Sequence, residues 1–175
     1  TYTLNIKLRI RALLSGILTA TILYSANLRL NGRSNIGLTS YDSIFDGFRP
    51  VIVLILIVLA VKILMDLFLK TEVGYLLIAT GDNETLVKSL GENSNKYKLI
   101  GLMLSNGLVS LSGALMAQYQ GFSEISMGTG IIVVAIASII VGDTVLRNSK
   151  ILKMTTRAIM GALIYKFIGA LAIDL

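Results

Sequence analysis

The sequence predicts an all-α membrane protein with about four transmembrane helices, a short broken or re-entrant helix, and one capped helix in a cytoplasmic segment. Three observations carry that prediction. The chain has 175 residues, of which 54% are hydrophobic and 15% charged, and its mean hydropathy is +0.78. Soluble domains carry about 25% charged residues. The apolar residues are gathered into long runs, and the basic residues stand mostly at the ends of those runs, as in proteins oriented by the positive-inside pattern.

The apolar runs follow in order. A helical crossing needs about 20 mostly apolar residues. Segment A, Ala12–Leu28, is marginal in length and carries Ala12, Gly16 and Ala20 at four-residue spacing. Segment B, Val51–Leu69, follows Pro50, a residue suited to the first helical turn because its missing N–H has no partner to lose there. Segment C, Leu99–Gln118, is studded with Gly101, Ser105, Gly107, Ser110, Ser112, Gly113, Ala114 and Ala117, small residues that let helices approach closely in lipid. Segment D, Gly130–Gly142, would span roughly 20 Å, which is short for a crossing. Its glycine entry and Gly142-Asp143 exit predict a broken or re-entrant helix. Segment E, Met154–Ile173, holds Arg157 and Lys166 with Gly161 and Gly169.

Orientation follows from the connections. Lys7, Arg9, Arg11, Lys70, Lys88, Lys96, Lys98, Arg147, Lys150 and Lys153 fall on one side and Arg29, Arg33 and Arg49 on the other, provided that D crosses. Ten against three places residues 70–98 in the cytoplasm. The chain starts without Met and lacks the pattern of a signal peptide, and its last apolar run ends two residues before the terminus. The expectation is an incomplete membrane domain over 1–175, cut at both ends.

Composition also excludes chemistry. The absence of Cys and His leaves no thiolate nucleophile, disulfide framework or imidazole ligand. The formal charge of +6 is dispersed rather than gathered in a stripe, which argues against nucleic acid. No Gly-x-x-x-x-Gly-Lys-Ser/Thr loop occurs, so any nucleotide energy must be bound by another chain. An intramembrane enzyme would need a pairing such as Ser105 or Ser110 with Lys166, for which the spacing gives no support.

The polar interruption at 70–98 is the most distinctive stretch. Gly81-Asp82 can break the preceding turn with Asp82 as N-cap, next to Asn83. Glu84 then lies in the first turn with Lys88 as its i+4 partner, and Gly91 is the left-handed stop. Leu86, Val87 and Leu90 fall on one face. Such a helix is too short to be stable alone and needs packing. It either rests on its own membrane domain or serves as a rigid lever gripped by a cytoplasmic motor. Among the buried polar candidates, Ser105, Asn106, Gln118 and Tyr119 could line a passage or bond neighbouring helices. Lys62 and Asp66 read as a self-neutralising pair near the cytoplasmic interface, and Asp143 could meet Arg147.

Several runs resemble one known family. Tyr24-Ser-Ala-Asn-Leu-Arg-Leu-Asn-Gly-Arg-Ser-Asn35, Thr71-Glu-Val-Gly followed by Ala79-Thr-Gly-Asp-Asn-Glu and Ser89-Leu-Gly91, the stretch Leu104–Gly121, and Ala135–Gly142 are similar to ABC-importer permeases of the branched-chain amino acid/ribose class, in a subgroup associated with amino acids. The resemblance implies a cell-membrane permease with a second permease subunit, two cytoplasmic ATP-binding subunits and an extracytoplasmic solute-binding protein. ATP and magnesium would sit on the partner ATPase, with no cofactor in this chain. Residues Gly81, Asp82, Asn83, Glu84, Leu86, Val87, Leu90 and Gly91 would form the coupling helix that enters a groove on the ATPase. Family members have further helices at both ends, and the link from Asn148 to Met154 is more polar here. The competing expectation is an oligomeric channel or scaffold with no nucleotide partner.

Overall fold

A computed structural model describes residues 12–38, 43–45, 49–128, 130–146 and 153–174. Its helices are α1 (Ala12–Asn31), α2 (Pro50–Phe68), α3 (Glu72–Asp82), α4 (Glu84–Ser89), α5 (Ser94–Gln120), α6 (Ile131–Val145) and α7 (Met154–Asp174). Two short strands, β1 (Asn35–Gly37) and β2 (Phe122–Glu124), pair antiparallel with Ile36 opposite Ser123. A 3₁₀ turn, Ile125–Gly128, follows β2.

Four stretches of the described chain are long and apolar enough to cross a membrane: Pro50–Phe68, Ser94–Gln120, Ile125–Val145 and Met154–Ile173. The chain is thus an all-α membrane protein in its spanning elements. Segment D is longer than its sequence suggested. Helix α6 runs 15 residues, and Gly142 lies inside it rather than at its exit. Segment A forms a helix of 20 residues, α1, but is not one of the four. Two of its hydroxyls bond back to the helix, Thr19 Oγ1 donating to the Ser15 carbonyl at 2.7 Å and Thr21 Oγ1 to that of Ile17 at 3.0 Å. Such back-bonds satisfy a hydroxyl within its own helix.

The chain divides into two compact units. The first takes the described residues up to Leu56 together with Phe68–Met127. Here the turn from Phe68 into α3 closes tightly because Gly74 has no side chain. A Cβ there would lie 2.6 Å from the Leu69 Cα and closer still to the Phe68 carbonyl oxygen. Gly101 similarly admits the Leu77 side chain, joining α3 to α5. At its far end α5 stops on Gly121, at φ 74°, whose N–H donates to Ala117 at 3.0 Å. The Gly121 carbonyl then accepts from Leu38 at 2.7 Å and begins the β1–β2 ribbon. Three-residue strands are too short to show alternation, which is why the sequence did not announce them. Phe45 packs edge-on to Tyr119, with ring centroids 6.2 Å apart.

The second unit takes Ile57–Leu67 with the described residues from Gly128 onward. Its core is the crossing of α6 and α7, where backbones touch. A Cβ on Gly161 would strike the Ser138 carbonyl oxygen and lie 2.7 Å from the Gly142 Cα. A Cβ on Gly142 would strike the Arg157 carbonyl oxygen. This contact explains why Gly142 stays helical: it serves packing, not chain reversal.

Candidate functional site

The segment between α2 and α5 contains two helices where the sequence suggested one. Thr71 begins α3: its Oγ1 accepts from the Gly74 N–H at 3.2 Å and donates to the Phe68 carbonyl at 2.7 Å. Gly81 and Asp82 do not break the chain but complete the last turn of α3. The break falls at Asn83, in extended conformation at φ −150°. Asn83 closes α3 through its N–H to the Ala79 carbonyl at 2.8 Å and opens α4 through its Oδ1, which accepts from Leu86 N at 3.1 Å. The expected Asp82 N-cap is therefore corrected by one position. Both residue types favour that role, and the backbone decides between them, because Asp82 is still inside the helical ladder.

The stop falls where expected. Leu90 caps α4 and Gly91 takes φ 82°. Glu92 N donates to the Val87 carbonyl at 3.2 Å and Gly91 N to that of Lys88 at 3.0 Å. This pair of bonds is a Schellman motif, and the left-handed residue it needs is glycine because a Cβ there is strained. Six residues of helix span roughly 9 Å, so α4 is held by its surroundings rather than by its own ladder.

Glu84 supplies that hold. Its Oε1 accepts from Lys88 Nζ at 2.8 Å and from Ser94 Oγ at 3.0 Å, and its Oε2 from Lys98 Nζ at 2.6 Å. Lys88 is the i+4 partner expected on α4, while Ser94 and Lys98 belong to the first turns of α5. Donation from Lys88 first, then Lys98 and Ser94, holds the Glu84 carboxyl well below the usual range, at about 2. Tyr97 OH donates to Glu92 Oε2 at 2.8 Å and ties the turn to α5 again. The Ser94, Lys98 and Tyr97 contacts were not legible in the sequence. Ser94 and Lys98 lie 10 and 14 residues from Glu84, beyond the reversal at Gly91 that brings them to it, and Tyr97 meets Glu92 across the start of α5.

The three apolar residues of α4 and its C-cap divide. Val87 is fully buried, whereas Leu86 is 50% and Leu90 64% exposed. Tyr75 on α3 is also exposed. Val87 packs the helix down, and the two leucines face outward in a segment outside the spanning stretches.

The four residues expected on a passage lie on α5 without forming one face. Ser105 and Tyr119 are two heptads apart and so within about 40° of each other around the helix. Ser112, midway between them, shares their face and is exposed. Asn106 and Gln118 lie about 120° apart. The Asn106 amide donates to its own helix, at the Leu102 carbonyl, 2.7 Å away. Gln118 Oε1 is buried with no hydrogen-bond partner among the described residues. Seven-residue spacing in the sequence could have added Ser112 to the set.

In the second unit, Lys62 and Asp66 pair at 2.9 Å as expected, but the pair is not closed on itself. Lys153 Nζ reaches the same Oδ2 at 2.8 Å and Thr155 Oγ1 donates to Oδ1. The expected partner of Asp143, Arg147, lies outside the described residues.

Residues 1–175 match, over their whole length, the family described as branched-chain amino acid transport system, permease component. The chain belongs to that family. A tyrosine transport system permease protein of Clostridioides difficile is 48% identical over 98% of this chain and 61% of its own length. An uncharacterized protein of Rickettsia prowazekii, RP368, is 39% identical over 81% of this chain and 51% of its own. The ribose import permease protein RbsC of Escherichia coli K12 is 32% identical over 57% of this chain and 30% of its own. This permease chain thus spans 61% and 51% of the lengths of the first two relatives. No solved structure matches it. Family and spanning helices together make it a multi-pass protein of the cell membrane.

Proposed function

We propose that this chain forms part of the permease subunit of an ATP-driven importer for a small solute, an amino acid, with α3–α4 as the lever through which separate ATPase subunits drive it. The observation that carries this reading is the build of α4. It is capped at both ends, anchored by Val87 and Glu84, and presents Leu86 and Leu90 outside the spanning stretches. An apolar pair exposed on a rigid, polar-rimmed helix fits a groove on a soluble partner. The basic residues of the connections favour the cytoplasm for this segment. Import and an amino-acid substrate are supported by the kinship with transport-system permeases, one of them for tyrosine.

In this mechanism the nucleotide and magnesium stay on the partner subunits. Closure of those subunits pushes α4, and the Glu84 contacts with Ser94 and Lys98 pass the displacement to the start of α5. The exposed face of α5 marked by Ser105, Ser112 and Tyr119 lines the route of the solute against a second permease subunit. Gln118 Oε1, without a hydrogen-bond partner among the described residues, is available to that route or to that subunit. An extracytoplasmic binding protein delivers the solute.

The full-length permease, reconstituted with its ATPase and binding protein, tests the lever. Glu84→Lys combined with Leu86→Asp should leave membrane insertion intact and lower uptake per ATP hydrolysed by about tenfold or more. Uptake per ATP unchanged in that double variant would remove the lever from the mechanism.

A further inference from the structure

The Glu84 arrangement recurs in the second unit, on a carboxylate that the lever does not contain. Asp66 accepts from a lysine one turn away on its own helix, Lys62 at 2.9 Å, and from a lysine and a hydroxyl at the start of another long helix. Those two are Lys153, at 2.8 Å and directly before α7, and Thr155 in its first turn. Glu84 has the same set in Lys88, Lys98 and Ser94. Each carboxylate therefore clasps the beginning of a spanning helix, α5 in one unit and α7 in the other. The dipole at a helix N-terminus adds to the attraction in both.

A structural counter-ion for Lys62 would need only Lys62. Asp66 is instead used on both oxygens, it is 9% exposed, and it lies on a helix whose other side chains are mostly exposed. It also stands at a particular place in the chain. Leu67 continues directly into Phe68, whose carbonyl accepts from the Thr71 cap of α3. The last turn of α2 is thus the covalent root of the lever, and Asp66 fastens that turn to α7.

We propose that Asp66 is a positioning residue for transport: it makes α2 and α7 move as one body, so that displacement of α3–α4 reaches α7. The inference rests on the lever reading above. With the clasp in place the separation of α2 and α7 stays constant through the cycle. Without it, the lever moves α2 alone, and nucleotide hydrolysis proceeds with little solute moved.

The experiment uses the full-length permease with its ATPase and binding protein in proteoliposomes, with paired spin labels at Leu64 on α2 and Ala158 on α7. In the parent, the label separation is expected to be the same without nucleotide and in an ATP-trapped state. In Asp66→Asn, it should shift or broaden on trapping, ATP hydrolysis should persist, and uptake per ATP should fall about tenfold. Lys153→Gln, at a side chain that is 52% exposed, should give the same change at smaller size. A parent separation that changes with nucleotide, or uptake per ATP within twofold of the parent in both variants, overturns the proposal. The Glu84→Lys, Leu86→Asp variant measured alongside separates the two readings. If it uncouples while Asp66→Asn does not, the clasp fails and the lever stands; if it does not uncouple, the lever fails and the clasp falls with it.

Discussion

The segment α3–α4 and the pair α6–α7 are held together by opposite means. In the first, order comes from directional polar contacts at the surface: the Thr71 and Asn83 caps, the Schellman turn at Gly91 and the Glu84 network. Val87 is its one fully buried large side chain. In the second, order comes from the absence of side chains, which brings the Gly142 and Gly161 backbones into contact. The carboxylates differ in the same sense. The Glu84 side chain is 35% exposed and that of Asp66 10%. Hydrogen bonds at a surface can be exchanged for water at small net cost, whereas a packed backbone contact has no substitute. The first region is suited to being moved and the second to moving as a block.

A glycine replaced in each region shows the contrast with opposite signs. Alanine has about 1 kcal/mol more helix propensity than glycine, so an open site gains from the change. Gly81, in the last turn of α3, has nothing within 4 Å of a would-be Cβ. Gly161→Ala drives its methyl into the Ser138 carbonyl and toward the Gly142 Cα, at 2.7 Å. Overpacking against backbone costs on the order of 3 kcal/mol, which outweighs the propensity gain. Thermal unfolding in detergent should therefore show Gly161→Ala melting well below the parent and Gly81→Ala at or above it. Equal melting of the two variants would mean that the α6–α7 crossing is not the rigid element.

Much of the first region could be read from the sequence because its rules are local. Glu84 with Lys88 and Gly91 as the stop each depend on neighbours within a turn or two. The cap was misplaced by one residue for a related reason. Asp82 and Asn83 are both good caps, and only the backbone of α3 shows that the helix still includes Asp82. The second region was legible as apolar helices but not as a packed pair. Nothing local tells that Gly161 meets Gly142, or that Lys153 and Thr155 complete the shell of Asp66 some 87 and 89 residues away. The candidate passage on α5 was half legible: the polar residues were visible, but their angular positions separate Ser105 and Tyr119 from Asn106.

Within the polar region, two substitutions one residue apart rank the caps. Asn83→Ala removes the acceptor for Leu86 N and should cost about 1 kcal/mol, read as faster amide exchange across α4. Asp82→Ala, inside α3 and exposed, should stay within about 0.5 kcal/mol of the parent. The reverse order would restore Asp82 as the cap.

The smallest effect near neutral pH lies in the titration of Glu84. Glu84 is held at about 2, below its ordinary 4.5, by Lys88, Lys98 and Ser94. A depressed carboxylate stabilises the folded segment fully at any pH above 4.5, and that contribution is lost as the pH falls toward about 2. Exchange protection of α4 should thus be flat from pH 7 to about 5 and decline below 4.5, after correction for intrinsic exchange rates. In Glu84→Gln the decline across that window should shrink, since the amide does not titrate, while protection at neutral pH is already reduced. An α4 whose protection falls equally with acid in parent and variant would show that Ser94 and Lys98 reach the carboxylate without holding the helix by it.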